Sequence, residues 1–322
     1  MLKYKYTETS EIKKLIIEIE ALKIVFDNLK VLPHIEQNLR RESLLKSSVY
    51  SARVEGNPLL PNNIDGGEKV YRLEIANLLI SYNFIYSKRV PKKLSLTLIK
   101  KLHKLVLKNI SENAGSFRYE PWGIFNSAGI AVYLAPVHFK LPKLMEDLIN
   151  LEKKIKEPVP IKSAITQFLF EKIHPFADGN GRVGRLLSAF IMQNGGYGFK
   201  GLVPIEEVID ENRDLYYKTL EPSQNVTDFV EFFLDSFIKS ARKVLEKASE
   251  SVEEKLEDVL PLRRQEIFRL VREHPYCSFD FISRRFSKVN QKTLHYDVKK
   301  LIESGFITKI GQTRGATYLI KK

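Results

Sequence analysis

Twelve consecutive residues, His174-Pro-Phe-Ala-Asp178-Gly179-Asn180-Gly181-Arg182-Val-Gly-Arg185, gather more reactive chemistry than any other stretch of the chain. The imidazole of His174 titrates near neutrality and can take a proton from a hydroxyl. Asp178 is a hard oxygen donor of the type that holds Mg2+ beside phosphates. Gly179 and Gly181 carry no Cβ, so the backbone around Asn180 can approach an anion closely. N–H groups that open a helix receive phosphate oxygens, and an apolar helix is predicted directly after the motif, over 186–192. Arg182 and Arg185 are three apart, so they share one face of a helical turn, and their planar forks suit phosphate. A base, a cation ligand, an anion cradle and two guanidinium groups are the set a nucleoside triphosphate needs. A lone His-Pro or Gly-Asn-Gly is ordinarily a turn, but these residues together have no shared packing role at a helix start.

The elements that must hold this segment read as helices. Ile12, Leu15, Ile16, Ile19, Leu22, Val25 and Phe26 repeat at helical spacing within 10–30. A second helix over 38–55 is stopped by Gly56 and Pro58. Further helices are predicted over 69–87, 94–110, 141–156 and 161–173, and a long, increasingly charged one over 228–256. Residues 115–136 break the pattern. Trp122, Ile124, Phe125, Val132 and Tyr133 surround Asn126-Ser-Ala-Gly129, which predicts a β-hairpin or flap.

Composition sets the outer bounds. A chain of 322 residues can hold two or three compact units. Hydrophobic content of 43% and charged content of 28% are those of an ordinary globular protein. The single cysteine, Cys277, excludes an intramolecular disulfide and a cysteine-rich metal site, and reads as a small core residue. The first residues lack a signal-peptide apolar run, and no apolar run reaches membrane-spanning length, so a cytoplasmic location without membrane partners is expected.

The net charge of +13 is uneven: residues 259–322 hold 14 Lys+Arg against 5 Asp+Glu, a net +9. That segment predicts three helices, over 262–274, 279–286 and 291–304, then two strands, over 306–310 and 316–320, joined by a turn tip at 311–315. In the last helix Leu294, Val298, Leu301 and Ile302 form an apolar stripe, and Gln291, Lys292, His295, Tyr296 and Lys299 lie opposite. Arg314 sits in the tip. The pattern resembles a winged helix-turn-helix domain, which lays a recognition helix in the major groove. Duplex DNA is then the expected partner; protein contact or homodimerisation through the same unit stays open.

The motif itself matches the pattern His-Pro-Phe-x-(Asp/Glu)-Gly-Asn-Gly-Arg-x-x-Arg at every fixed position, and so resembles the Fic family. The resemblance extends over roughly 40–240, through Gly115-Ser-Phe-Arg118, Trp122-Gly123-Ile124-Phe125, Asn212-Arg213-Asp-Leu-Tyr216 and 229–234. It implies a mainly α fold: a Fic/Fido helical core with a small β-hairpin flap, plus the C-terminal winged helix. The expected divisions are a helical region over 1–93, a catalytic core over 94–250 and the winged unit over 259–322.

The activity implied is transfer of AMP from ATP, with Mg2+, to Ser, Thr or Tyr hydroxyls of target proteins. His174 would be the base and Asp178 the Mg2+ ligand. Gly179, Asn180 and Gly181 would cradle the α- and β-phosphates, with Arg182 at the β-phosphate and Arg185 at the γ-phosphate. Tyr216 would lie near adenine, and Trp122, Gly123, Ile124 and Phe125 would bind the target by strand addition. Ser51-Ala-Arg-Val-Glu55-Gly56 matches the family's inhibitory helix, expected over about 38–56, whose glutamate pairs with the second motif arginine. Ser51 and Glu55 are i, i+4 and project from one face. Transfer of UMP, removal of AMP, and a DNA-binding regulator that only senses nucleotide are the alternatives.

Overall fold

The computed structural model describes residues 2–29, 33–125, 131–221, 224–258, 260–311 and 316–321. The chain divides into two compact units, Met1–Glu246 and Lys247–Lys322. No helix among the described residues is long and apolar enough to cross a membrane.

In the first unit the helices are α1 (Ser10–Asp27), α2 (Pro33–Val54), α3 (Lys69–Ile85), α4 (Leu96–Val106), α5 (Leu141–Lys154), α6 (Val159–Ile173), α7 (Asn180–Asn194), α8 (Ile205–Glu211) and α9 (Arg213–Thr219), followed by the start of α10 (Thr227–Asp258). Thr9 and Ser95 cap α1 and α4 by accepting from the N–H groups of Ile12 and Leu98, as hydroxyls at the N-cap do. Helix α2 begins at Pro33, five residues before the expected start, because proline is preorganised for the first helical position. It ends at Val54, where Gly56 turns the chain with a φ of +99°.

Helices α6 and α7 form the centre. Helix α6 buries Ile161, Ala164, Ile165, Phe168, Leu169, Phe170 and Ile173 as well as Ser163, Thr166 and Gln167. A helix with buried residues on every side belongs in a core. Helix α7 starts at Asn180, not at 186, so Arg182 and Arg185 lie inside it. Of the residues before Leu186 in this helix only Val183 is apolar, and one position by itself shows no period. The expected flap is present as an antiparallel pair, β1 (Gly123–Phe125) and β2 (Ala131–Leu134), with Gly123 opposite Leu134 and Ile124 opposite Tyr133. Residues 126–129 of its turn lie outside the described residues.

The second unit contains α11 (Leu262–Glu273), β3 (Cys277–Ser278), α12 (Phe279–Arg285), α13 (Gln291–Glu303), β4 (Ile307–Ile310) and β5 (Thr317–Ile320). Ile267, Val271, Ile282, Leu294, Leu301 and Ile307 make its core, and the free Cys277 is buried among them. The two expected strands are joined by a third: β3 pairs with β5, giving the antiparallel order β3-β5-β4. A two-residue strand is too short to show alternation, and the sequence predicts no element between 274 and 279. Its Ser278 also caps α12 by accepting from Phe281 N–H.

Candidate active site

The motif forms the turn from α6 into α7. His174 ends α6 in the left-handed region, with φ 48° and ψ 61°, and its N–H donates to Phe170 O. Such a conformation is uncommon outside glycine and persists only where the surroundings over-determine it. Gly179, also left-handed at φ 78°, precedes the first turn of α7. The buried Asn180 side chain, from the start of α7, closes the loop between them: Oδ1 accepts from Phe176 N–H and Nδ2 donates to Phe176 O, both at 2.9 Å. The Asn180 amide is thus spent on the loop. The N–H groups of the opening turn of α7, at Asn180, Gly181 and Arg182, are the ones that a helix leaves for an anion.

The His174 imidazole stacks on Trp122, which immediately precedes β1, ring centroids 3.5 Å apart and planes at 23°. Burial pulls its pKa down to about 4; the Glu171 carbonyl and Asp178 oppose this, while the Arg118 guanidinium adds to it. The ring is therefore neutral at pH 7 and able to accept a proton. Arg118 belongs to the Gly115-Ser-Phe-Arg118 segment of the resemblance, which by itself gives it no role. It is buried at 4% exposure. Its N–H donates to Pro175 O at 3.0 Å and its Nε to His174 O at 2.8 Å.

Asp178 lies on the rim, its side chain 66% exposed. One oxygen accepts from Gly179 N–H, and both accept from Arg182 Nη2 at 2.9 and 3.0 Å. Arg182 Nη1 donates to Glu74 of α3 at 3.1 Å. Glu74 also accepts from Asn57, just past α2, at 2.8 Å. A further histidine proves structural to this loop. Gly115 N–H donates to His103 Nδ1 at 2.8 Å, so the Nε2 of that ring carries the proton and donates to Asp178 O at 3.0 Å. His103 stacks on Phe176, centroids 3.7 Å apart, and burial drops its pKa to about 4. In the sequence it falls within the helix expected over 94–110, outside the motif.

Ser51 and Glu55 meet Arg185. The arginine, 1% exposed, donates from Nε to Ser51 Oγ at 3.0 Å, and from Nη2 to Ser51 O at 2.8 Å and to Glu55 Oε1 at 2.9 Å. The Glu55 carboxylate also covers Gly181: a Cβ there would come within 2.1 Å of Oε1. An anion is thus already seated at the N-terminus of α7. Its segment is pinned by Arg53–Asp210 at 2.9 Å and by Tyr217 OH donating to Val54 O at 2.8 Å. Tyr216 is buried beneath Arg185. Its hydroxyl faces Arg185 Nη1 at 3.4 Å and Gln167 Nε2 at 3.2 Å, and its ring packs near Phe229 and Phe232. Glu171, one turn before His174, has its Oε1 buried without a hydrogen-bond partner; burial, reinforced by Glu55 and opposed by Arg185, lifts its carboxyl to about 8.

A cavity of about 650 Å³ has Glu55, Gly181, Tyr216, Trp122, Glu171 and His174 on its walls, within the range of small-molecule sites. It thus joins Glu55 from the turn after α2 with residues of the flap, of α6 and its end, of α7 and of α9. Asp178 borders a separate cavity of about 160 Å³ with His103 and Arg118. Gly123 is the first residue of β1; the side chains of Ile124 and Phe125 lie outside the described residues. Gln291, Lys292, His295 and Lys299 are in the second unit, exposed along α13, with His295 stacked on Phe279 at 3.7 Å. Arg314 lies outside the described residues.

Residues 93–192 match the family model of the Fic/DOC family. The chain is 36% identical over 96 residues to a probable protein adenylyltransferase of Aquifex aeolicus, spanning 29% of this chain and 27% of that protein. It is 26% identical over 214 residues to the protein adenylyltransferase Fic of Drosophila willistoni, spanning 61% and 40%. These matches thus cover between about a quarter and two fifths of the relatives' own length. Among solved structures, a Fic family protein from Desulfovibrio desulfuricans superposes with a TM-score of 0.67 at 24% identity, over 98% of this chain and 97% of that one. A Fic domain containing signaling protein from Bacteroides thetaiotaomicron gives 0.61 at 20% identity, over 75% and 97%. At these identities the superpositions speak for the fold.

Proposed function

We propose that this chain, whose residues 93–192 carry a Fic domain, transfers AMP from ATP to Ser, Thr or Tyr hydroxyls of target proteins and of itself, and that Glu55 restrains it. The observation that carries the reading is the Glu55 carboxylate at 2.9 Å from Arg185 and directly over Gly181. A carboxylate occupies the ground that a terminal phosphate needs, at a helix N-terminus built for anions. In the reaction, the target oxygen attacks the α-phosphorus and a new O–P bond forms. The bond from that phosphorus to the bridging oxygen breaks, and its electron pair leaves with pyrophosphate. The hydroxyl proton passes to the neutral His174. The opening turn of α7 receives phosphate oxygens, Arg182 steadies charge on the leaving group, and Arg185, once freed, takes the γ-phosphate. Asp178 suits Mg2+, because one solvent-facing carboxylate with phosphates and waters is its usual donor set. The ion would neutralise phosphate charge. Beside β1 and β2, an extended target segment can offer its hydroxyl through main-chain bonds.

Labelling with α-labelled ATP tests this. Glu55→Gln keeps the side-chain shape but removes the charge, and should raise incorporation roughly tenfold to a hundredfold, as expected when a charged hydrogen bond of about 1.5–3 kcal/mol is lost. Arg185→Ala in that background should cancel the gain, because both act through one contact. His174→Ala should abolish labelling while ATP still binds. If Glu55→Gln labels no faster than wild type, Glu55 is not the brake.

A second proposal concerns α13. Gln291, Lys292, His295 and Lys299 are exposed on α13, whose Leu294, Val298 and Leu301 are buried, on a segment of net +9. We propose that this winged-helix-like unit binds duplex DNA through that face.

A further inference from the structure

We propose that Arg118 is a positioning residue for His174: its guanidinium ties the strained histidine backbone to both feet of the β1–β2 hairpin, so that base and hairpin are held as one device. This rests on the transfer reading above for the role of His174.

Four observations converge on it. Arg118 is a buried cation whose partners are backbone carbonyls. Nε donates to His174 O at 2.8 Å, Nη1 to Glu120 O at 2.9 Å, and Nη2 to Pro136 O. Glu120 precedes β1 and Pro136 follows β2, so one planar fork spans the root of the hairpin and the motif at once. A buried charge without such partners would be strongly unfavourable. The arginine's own N–H adds Pro175 O at 3.0 Å, so two successive motif carbonyls are gripped. His174 stands at φ 48°, a conformation that needs outside restraint. Finally, the hairpin returns the contact: Trp122 stacks on the imidazole, and Tyr133 OH donates to Lys172 O.

Two consequences separate positioning from mere support. The carbonyl contacts set where the imidazole points, and misplacement by about 1 Å costs on the order of a hundredfold in rate. The fixed positive charge also disfavours imidazolium on His174, alongside burial and against Asp178 and the Glu171 carbonyl. Lysine retains that charge but cannot grip three carbonyls in one plane; methionine retains bulk without charge.

The test uses the full chain in the Glu55→Gln background, with labelling and an NMR titration of His174 followed together. Arg118→Lys should cut labelling roughly tenfold to a hundredfold with the His174 midpoint still low. Arg118→Met should cut it as far and also raise that midpoint. ATP affinity should change little in either, since the phosphate contacts lie elsewhere. Wild-type labelling and an unmoved midpoint in Arg118→Met would overturn the proposal. The unaltered protein supplies a check that needs no variant: the Arg118 Nε–H should give a resolved resonance protected from solvent exchange, and rapid exchange would overturn the clasp. If no form of the chain labels anything, the transfer reading fails, and the His174 midpoint and Nε–H protection still decide the role of Arg118.

Discussion

Glu171 places a carboxyl against α7 so closely that a Cβ on Gly184 would come within 2.2 Å of Oε1. With that oxygen unpartnered and Glu55 nearby, the group stays protonated to about 8, against an ordinary 4.5. A raised folded-state pKa means stability that is fully present below 4.5 and lost as pH rises through 8, because only the unfolded chain releases the proton in that window. Glu171→Gln removes the linkage with little change of shape. Its unfolding free energy should match wild type near pH 4 and exceed it by on the order of 1–3 kcal/mol near pH 8. Urea unfolding of both proteins at the two pH values checks this, and a difference independent of pH would mean the carboxyl is ionised in the fold. Residue types in the motif were legible because each has its own chemistry. Glu171, His103 and Arg118 were not, because their roles come from what is packed around them.

At the scale of elements, the site depends on the short joint between α6 and α7. Asn180 satisfies both backbone groups of the buried Phe176. Asn180→Ala would leave that N–H and C=O without partners, a loss of about 2–4 kcal/mol at roughly 1–2 kcal/mol for each group. Asn180→Asp can still accept from the N–H and should fall between alanine and wild type. The order of the three unfolding midpoints in urea is the measurement; an alanine variant as stable as wild type would show that the loop is held by something else. Helical periodicity located α1 to α6 within a few residues. It did not reach the opening of α7 over 180–185, where Val183 is the one apolar residue among glycines and arginines, and it missed β3.

Across the whole molecule, the chain divides into two compact units. In the second, the buried Asp297 pairs with Arg263 at 2.5 Å and Arg264 at 2.9 Å, which occupies two cations with an internal partner. The exposed Lys292 and Lys299 on α13 remain the stronger phosphate candidates. Duplex DNA should therefore bind the full chain with an affinity that falls steeply as salt rises. Lys292→Ala or Lys299→Ala should each flatten the log–log slope by about 0.9. A filter or anisotropy titration at several salt concentrations reads the slope. No binding at low salt would favour a protein-contact surface.

The sequence alone determined the motif, the helical class, the basic C-terminal segment and the Ser51–Glu55 spacing, since each is local: identity, period, or an i, i+4 step along one helix. That Glu55 reaches Arg185, 130 residues away, that Trp122 covers His174 and that Arg118 binds the hairpin to the base were decided only in three dimensions. Contacts at such separation follow from how α2, the hairpin and α6–α7 pack together, and packing leaves no periodic trace in the chain.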